Sequence, residues 1–138
     1  MFFVNLSVVK AEQRVKLTLF YSQYCPHCEK EKVFLKKLQN KYSELEVKEL
    51  EVDKSAKNQK LFREKAQEYQ ISQLAVPLTI IGQNHFLGYE SDETTGATIE
   101  QAIKSDKKYL LILRRLRQKN IFISISRNYI LSYCRKYG

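Results

Sequence analysis

The sequence is poor in the residues that usually punctuate or cross-link a fold. Its 138 residues hold four glycines, two prolines, three cysteines and no tryptophan. Three cysteines are too few, and odd in number, for a disulfide-stapled scaffold. The longest apolar run is Tyr109–Leu113, whereas a helix needs roughly 20 apolar residues to span a bilayer. A disulfide-rich module is therefore excluded, and no transmembrane helix is predicted.

Acidic residues are scarce at only one end of the chain. Lys and Arg number 24 against 15 Asp and Glu, which gives a net charge of +9. Residues 1–104 contain 15 basic and 14 acidic residues, whereas residues 105–138 contain nine basic residues and a single acid, Asp106. A net charge of +9 over a whole domain would suggest nucleic acid or an anionic membrane as partner. Here it indicates a near-neutral domain followed by a basic tail.

The apolar pattern predicts one α/β domain over residues 15–104. The predicted elements are, in order, a strand at 15–21, a helix from Pro26, a strand at 45–52, a helix capped by Ser55, strands at 78–81 and 85–87, and a helix at 95–104. Continuation of this last helix into the tail is an alternative. The alternation of apolar and polar residues is interrupted between Val47 and Leu50, so we expect a bulge or a late start in the second strand. A βαβ unit followed by a ββα unit gives a mixed four-stranded sheet with helices on both faces.

The two ends of the chain are expected to lie outside this domain. Residues 1–14 are interpreted as an N-terminal arm, with a truncated export signal as the alternative. Residues 105–138 are predicted to form a basic C-terminal extension, because glycine and proline are absent from 105–137 and the apolar period is loose. For this tail, a poorly ordered extension is favoured over a membrane-surface segment. Nucleic-acid binding ranks last, since only charge supports it.

The chemistry of the chain is concentrated in Cys25-Pro26-His27-Cys28. Pro26 suits the first position of a helix, which places Cys25 at the N-cap. There the helix dipole and the first backbone N–H groups stabilise a thiolate, which is the reactive form of cysteine. Cys28 follows one turn later on the same side of the helix. This spacing predicts that Cys25 is the nucleophile and that Cys28 resolves a mixed disulfide formed on it.

Two further residues complete the predicted site. A positive or hydrogen-bonding group at His27, between the two sulfurs, would stabilise the Cys25 thiolate and make the disulfide a stronger oxidant. Pro77 follows Val76 and precedes a strand, 52 residues after Cys25. A cis Val76–Pro77 bond at this place would leave the Val76 backbone free to pair with an extended substrate.

These motifs resemble the thioredoxin-like superfamily, and most closely its small glutaredoxin-like members. The resemblance covers about residues 15–104 and rests on the segments 24–28, 76–77 and 86–89, that is Tyr24-Cys25-Pro26-His27-Cys28, Val76-Pro77 and Phe86-Leu87-Gly88-Tyr89. It implies a thioredoxin-like fold, a nucleophilic first cysteine, a resolving second cysteine and a cis-proline. The predicted catalytic residues are accordingly Cys25, Pro26, His27 and Cys28, and the predicted substrate-binding residues are Tyr24, Val76, Pro77 and Gly88.

The same residues allow other interpretations. A C-x-x-C pair can be half of a zinc site, but the further candidates, His27, His85 and Cys134, form no second paired motif. An iron–sulfur cluster bridging two copies is an alternative for glutaredoxin-like proteins, and it would require an outside thiol such as glutathione. His85 is interpreted as a strand residue and Cys134 as an incidental thiol.

We therefore expect an enzyme, a thiol-disulfide oxidoreductase that acts on protein or small-thiol substrates without a metal or organic cofactor, with glutathione as the alternative co-substrate. A redox-inactive adaptor of the same fold, anchored through the basic tail, is the competing hypothesis. No specific nucleic-acid partner is expected, and weak membrane-surface contact is assigned to the tail alone. The expected compartment is the cytoplasm, with the cell envelope as the alternative if residues 1–14 derive from an export signal.

Overall fold

A computed structural model describes residues 14–118 of the chain. These residues form four strands, three α-helices and one π-helical turn. The elements are β1 (Val15–Tyr21), α1 (Pro26–Lys41), β2 (Leu45–Glu51), α2 (Ala56–Glu68), β3 (Leu78–Ile81), β4 (Asn84–Leu87), the π-helical turn (Asp92–Gly96) and α3 (Ala97–Gln118). The order of strands and helices agrees with the order that the apolar pattern predicts.

The four strands form one mixed sheet in the order β2-β1-β3-β4. β1 and β2 are parallel, while β1–β3 and β3–β4 are antiparallel pairs. The predicted mixed four-stranded sheet is thus confirmed. Because β1 lies inside the sheet, the loop that leaves its carboxyl end and enters α1 is held on a rigid strand.

Helices cover both faces of the sheet, and β1 supplies side chains to both cores. On one face, Leu17 and Leu19 are buried in a cluster with side chains of α1 and α3, among them Leu35 and Ile103. On the other face, Phe20 packs against α2, with its ring centroid 5.2 Å from that of Phe62. Two apolar layers therefore clamp β1 and fix the position of its carboxyl end.

The expected bulge or late start in the second strand is wrong. β2 pairs with β1 without interruption, from Val15↔Leu45 to Tyr21↔Glu51. The apolar phase changes because the strand serves both faces of the sheet. Leu45 and Val47 pack into the cluster under α1 and α3, whereas Leu50 packs into the cluster under α2. The interrupted alternation in the sequence therefore reflects apolar side chains on both faces of the sheet, and the backbone of the strand is regular.

The hairpin between β3 and β4 is tighter than its predicted three-residue turn. Ile81 already pairs with Asn84, so only Gly82 and Gln83 lie outside the ladder. Gly82 has a φ of +54°, a left-handed conformation that a residue with a Cβ adopts only at a cost. A Cβ there would also lie 2.6 Å from an Asp106 carboxylate oxygen of α3. This glycine therefore allows the tight turn to pack against the helix.

The last helix extends well beyond residue 104, the predicted end of the domain. α3 begins at Ala97, after a π-helical turn capped by Ser91, and continues through Gln118. Beyond residue 104, Lys107 pairs with Glu44, and Leu110 packs against the apolar core. The first part of the predicted tail is therefore helical and touches the domain. The division into three segments stays a prediction, since residues 1–13 and 119–138, with Cys134, lie outside the described residues.

Within residues 14–118, no helix is both long and apolar enough to cross a membrane.

Candidate active site

The segment that connects β1 to α1 is anchored by an acid at the end of the neighbouring strand. The Asp53 carboxylate accepts hydrogen bonds from the Ser22 hydroxyl at 2.9 Å and from the Gln23 backbone N–H at 2.8 Å. The Ser22 oxygen in turn accepts from the Tyr24 N–H at 3.2 Å. This network fixes the turn directly before Cys25. Asp53 is a positioning residue that the sequence pattern does not reveal, because its partners lie about 30 residues away.

Cys25 occupies the N-cap of α1, as predicted. Its sulfur accepts a hydrogen bond from the Cys28 backbone N–H, with an S···N distance of 3.3 Å, and Pro26 occupies the first turn. The side chain of Cys25 is partly exposed, so a substrate can reach the sulfur. An N–H donor and the positive end of the helix dipole both stabilise negative charge on this atom. The geometry therefore suits a thiolate nucleophile at Cys25.

Cys28 lies one turn further along α1 and is fully buried. Burial raises the pKa of the Cys28 thiol to about 12, and a hydrogen bond to Cys25 and the nearby charges of Cys25 and Glu31 act in the same direction. Both cysteines are free thiols. The two sulfurs thus differ in the way that the predicted roles require. Cys25 is accessible, whereas Cys28 keeps its proton at neutral pH until a base removes it.

A buried carboxylic acid, Glu31, lies next to this pair and was missed by the sequence analysis. It is 1% exposed, and the Thr79 hydroxyl donates a hydrogen bond to its Oε1. Its other oxygen, Oε2, is buried without a hydrogen-bond partner. Burial raises the pKa of Glu31 to about 7, although the bond from Thr79 acts in the opposite direction. The acid can therefore take up or release a proton near neutral pH.

The position of Glu31 on α1 explains its influence on the resolving cysteine. Glu31 and Cys28 are three residues apart, so their Cβ atoms lie on the same helix face at about 5–6 Å. The signal available in the sequence was that Glu31 lies one helical turn before the apolar residues Phe34 and Leu35. Sequence alone did not distinguish it from the solvated charges around it.

The predicted cis-proline is present beside Cys25. The Val76–Pro77 peptide bond is cis, and the Val76 carbonyl oxygen accepts a hydrogen bond from the Cys25 thiol at 3.8 Å. Gly88, at a φ of +82°, donates its N–H to the Pro77 carbonyl at 2.8 Å. The structure thus joins Cys25, Val76, Pro77 and Gly88 in one contiguous site, although they come from three separate segments of the chain.

The His27 side chain interacts with the segment that follows β4. Its Nδ1 lies 2.8 Å from the Tyr89 carbonyl oxygen. Because a carbonyl oxygen only accepts, Nδ1 carries a hydrogen and the ring is fixed toward the segment after β4. Among the hydrogen bonds of residues 14–118, none joins His27 to either sulfur. The ring is thus fixed by Tyr89, and the expected effect of His27 on the Cys25 thiolate stays a prediction.

A shallow groove runs from His27 along the cis-proline. It is lined by Val76, Pro77, Leu87, Gly88, Tyr89, Glu90 and Thr95 in addition to His27. Three large apolar side chains near the site are exposed: Tyr24 by 75%, Leu74 by 52% and Leu87 by 41%. Tyr24 directly precedes Cys25, and its predicted role in substrate binding stays a prediction. Leu87 lines the groove, so an exposed apolar side chain lies beside the cis-proline.

His85 lies on β4, as expected, and contacts the ring of Tyr69 edge-on at a centroid distance of 5.7 Å. In the part of the chain that the structure describes, no cluster of three or more His, Cys, Asp or Glu residues could hold a metal ion. The expectation that the protein needs no metal or organic cofactor stays a prediction.

The sheet order, the Cys25–Cys28 pair at the start of α1 and the cis-proline beside it define a protein of the thioredoxin fold. The chain belongs to the thioredoxin family, since the family model described as Thioredoxin matches residues 5–108. This establishes the predicted thioredoxin-like superfamily and fold. No curated protein matches the chain.

Several solved structures are similar to this chain. A putative thiol:disulfide interchange protein DsbE from Chlorobium tepidum matches with 15% identity and a TM-score of 0.50, covering 69% of this chain and 81% of that one. A glutaredoxin from Archaeoglobus fulgidus matches with 21% identity and a TM-score of 0.46, covering 57% and 80%. A thioredoxin pre-protein from Schistosoma mansoni matches with 25% identity and a TM-score of 0.47, covering 69% and 81%.

Proposed function

We propose that this protein is a thiol-disulfide oxidoreductase that cycles between a Cys25–Cys28 dithiol and the corresponding disulfide. One observation carries the proposal: an accessible sulfur at a helix N-cap accepts a hydrogen bond from the backbone of a buried second cysteine one turn away. Membership of the thioredoxin family supports thiol-disulfide redox chemistry in general. The exchange needs the two thiols, a disulfide substrate and a group that accepts the proton of Cys28.

In the reducing direction the reaction has two steps. The Cys25 thiolate attacks a substrate disulfide, so that an S–S bond forms to Cys25 and one substrate sulfur leaves as a thiolate. Cys28 then loses its proton and attacks the Cys25 sulfur, which forms the Cys25–Cys28 disulfide and releases the second substrate thiolate. Two electrons pass from the protein to the substrate, and the released thiolates take up protons. The oxidising direction is the reverse of these two steps.

The second step requires a base, because the Cys28 thiol has a raised pKa and is buried. We propose that Glu31 accepts this proton when it is ionised. The carboxylate is desolvated, interacts with Cys28 and has a pKa of about 7, so that it changes protonation state in the range in which the thiol exchange would operate. Glu31 itself gives up its proton to solvent once the disulfide has formed.

We propose protein disulfides or dithiols as substrates. The apolar side chains of Tyr24, Leu74 and Leu87 are exposed near the site, and such a surface suits a peptide chain that carries apolar residues next to its cysteine. The Val76 backbone next to Cys25 would pair with this chain. Glutathione is the alternative substrate, and no metal or organic cofactor is proposed.

Catalysed reduction of insulin disulfides tests this function. With dithiothreitol as the electron source, the full chain should accelerate insulin precipitation well above the rate of dithiothreitol alone. A rate equal to that of dithiothreitol alone would contradict the enzyme function and favour a redox-inactive adaptor. Reduction of a small mixed disulfide with glutathione as the only thiol, measured in parallel, distinguishes glutathione-dependent from protein-directed activity.

The physiological direction follows from the reduction potential of the Cys25–Cys28 pair, measured by equilibration with glutathione. A potential near or below the cytosolic glutathione value, roughly −220 to −320 mV, favours a reductase in the cytoplasm. A much higher potential favours a disulfide donor, which would operate in an oxidising compartment such as the cell envelope.

His27 is expected to raise this potential. A fixed imidazole near the N-terminus of α1 adds positive charge when protonated, and so stabilises the reduced, thiolate-containing form. In His27→Ala we expect the potential to fall by about 30 mV or more, which is a tenfold change in the equilibrium constant for a two-electron couple. His85→Ala, on β4, is the matched control and should leave the potential unchanged. An equal shift in both variants would argue against a specific role for His27.

A further inference from the structure

The part of α3 beyond residue 104 carries a stripe of apolar side chains that faces solvent. This stripe, here called the α3 stripe, consists of Tyr109, Ile112, Leu113 and Leu116. The last three follow Tyr109 by three, four and seven residues, a spacing that places all of them on one side of a helix. Tyr109 is 58% exposed, Ile112 45% and Leu113 36%. Leu110, between them in sequence, packs instead against the core. Among the described residues, three members of the stripe are therefore exposed, and Leu116 is half-buried.

Positive charge surrounds the α3 stripe. The segment 107–118 contains five basic residues and no acid, and residues 119–138 add four basic residues and no acid. Lys108 and Arg115 are exposed on α3. Asp106, the single acid after residue 104, is directed toward Gly82 in the β3–β4 turn. The outer surface of this helix thus combines apolar side chains with a net positive charge.

The α3 stripe belongs to the end of the domain opposite the redox site. The adjoining part of α3 lines a cavity together with Arg14, Val15 and Ser43, at the start of β1 and after the end of α1. Cys25 follows the other end of β1 and precedes the start of α1. Seven strand residues span about 23 Å. A partner bound at the stripe would therefore leave Cys25 accessible.

We propose that α3, through residues 107–118, docks on the surface of an anionic phospholipid membrane. In such an interface the cations meet the headgroups while Tyr109, Ile112 and Leu113 enter the boundary with the acyl chains. A second copy of this chain is disfavoured, because two segments of the same positive sign repel each other. A nucleic acid would neutralise the cations but leave the apolar stripe in water.

Cosedimentation of the full chain with vesicles tests the proposal. We expect binding to phosphatidylcholine vesicles that contain 30 mol% phosphatidylserine, and at least about tenfold weaker binding to pure phosphatidylcholine, since each basic residue near an anionic surface contributes about a fivefold gain in binding. Binding should weaken as salt is raised, because the Debye length shortens from about 10 Å at 0.1 M to about 3 Å at 1 M.

Two double variants separate the two contributions. Ile112→Gln/Leu113→Gln removes apolar surface without changing charge, and Lys108→Glu/Arg115→Glu reverses charge without touching the stripe. Each should weaken vesicle binding by roughly tenfold or more. Lys36→Glu/Lys57→Glu makes the same change in charge at exposed positions on α1 and α2, and should bind within about twofold of the parent. Thermal unfolding by circular dichroism verifies that all variants are folded.

Several results would overturn the proposal. No binding by the parent would mean that another part of the chain covers the stripe, and equal binding to both kinds of vesicle would remove the role of charge. Parent-like binding by Ile112→Gln/Leu113→Gln would assign the contact to charge alone, as for nucleic acid. A parent dimer in sedimentation velocity that this variant dissociates would assign the stripe to a second copy of the chain.

Discussion

Replacement of Cys25 by serine is expected to reduce insulin reduction to the rate of dithiothreitol alone. The reason is that Cys25 has the accessible sulfur, and the Cys28 thiol is buried with a pKa of about 12. At neutral pH a thiol of this pKa is almost entirely protonated and therefore a poor nucleophile. The remaining cysteine cannot take over the first step. The measurement is insulin turnover with parent and variant at equal concentration.

Cys28→Ser is the matched variant, and its defect should lie in the second step. Cys25 keeps its accessible sulfur at the N-cap, so it still forms the mixed disulfide, but no second thiol is present to resolve it. We expect a covalent complex with the substrate that is visible on a non-reducing gel and disappears on reduction. Trapping by Cys25→Ser instead of Cys28→Ser would reverse the assigned roles, and parent-like turnover by Cys25→Ser would contradict the enzyme function.

Replacement of Glu31 by glutamine should slow the resolving step by about a hundredfold or more, the usual contribution of a general base. The first step should change little, because Cys25 does not depend on Glu31 for its thiolate. In the parent, release of substrate from the mixed disulfide should accelerate as the pH rises through about 7, the pKa of Glu31. In Glu31→Gln this rise should be absent. Single-turnover kinetics with a preformed mixed disulfide measures the step directly.

The same carboxyl group should make folding stability depend on pH. The pKa of Glu31 is raised from 4.5 to about 7 in the folded chain, so the folded state binds more protons between these values. The stability that the neutral acid confers is therefore complete below about pH 4.5 and is lost as the pH rises through about 7. A shift of this size corresponds to about 3 kcal/mol. Thermal unfolding under reducing conditions between pH 5 and pH 8 tests this.

Glu31→Gln should gain stability relative to the parent as the pH rises, because glutamine has no proton to lose. Glu46→Gln, at an exposed position on β2, is the matched control and should follow the parent throughout. An unchanged difference in melting temperature between Glu31→Gln and the parent from pH 5 to pH 8 would show that Glu31 is not titrating in a buried site.

For the kinetic prediction, Glu31→Gln could also slow the resolving step but leave the pH profile of its rate unchanged. That result would indicate a packing defect in the variant and not the loss of a proton acceptor.

Most of the fold could be read from local patterns. Pro26 and Ser55 mark the starts of the first two helices because capping and a fixed φ act within a single turn. The strand Leu78–Ile81 is visible as an apolar run after a proline. The pairing of the second strand was less predictable. Leu45 and Leu50 pack on opposite faces of the sheet, so the strand lacks a regular alternation of apolar and polar residues. The sequence left the end of α3 open, with continuation beyond residue 104 as an alternative, because the extension depends on contacts with Glu44 and the core.

The sequence by itself determined the chemistry that depends on neighbours along the chain. Cys25 and Cys28 are one helical turn apart, so their proximity follows from backbone geometry alone. Tertiary structure alone decided which charges are buried. Glu31 resembles its solvated neighbours in sequence, and its pKa is raised only because the fold buries it, with Thr79 of β3 against its carboxylate. The hydrogen bond from His27 to Tyr89 likewise joins residues 62 positions apart, a pairing that no local pattern encodes.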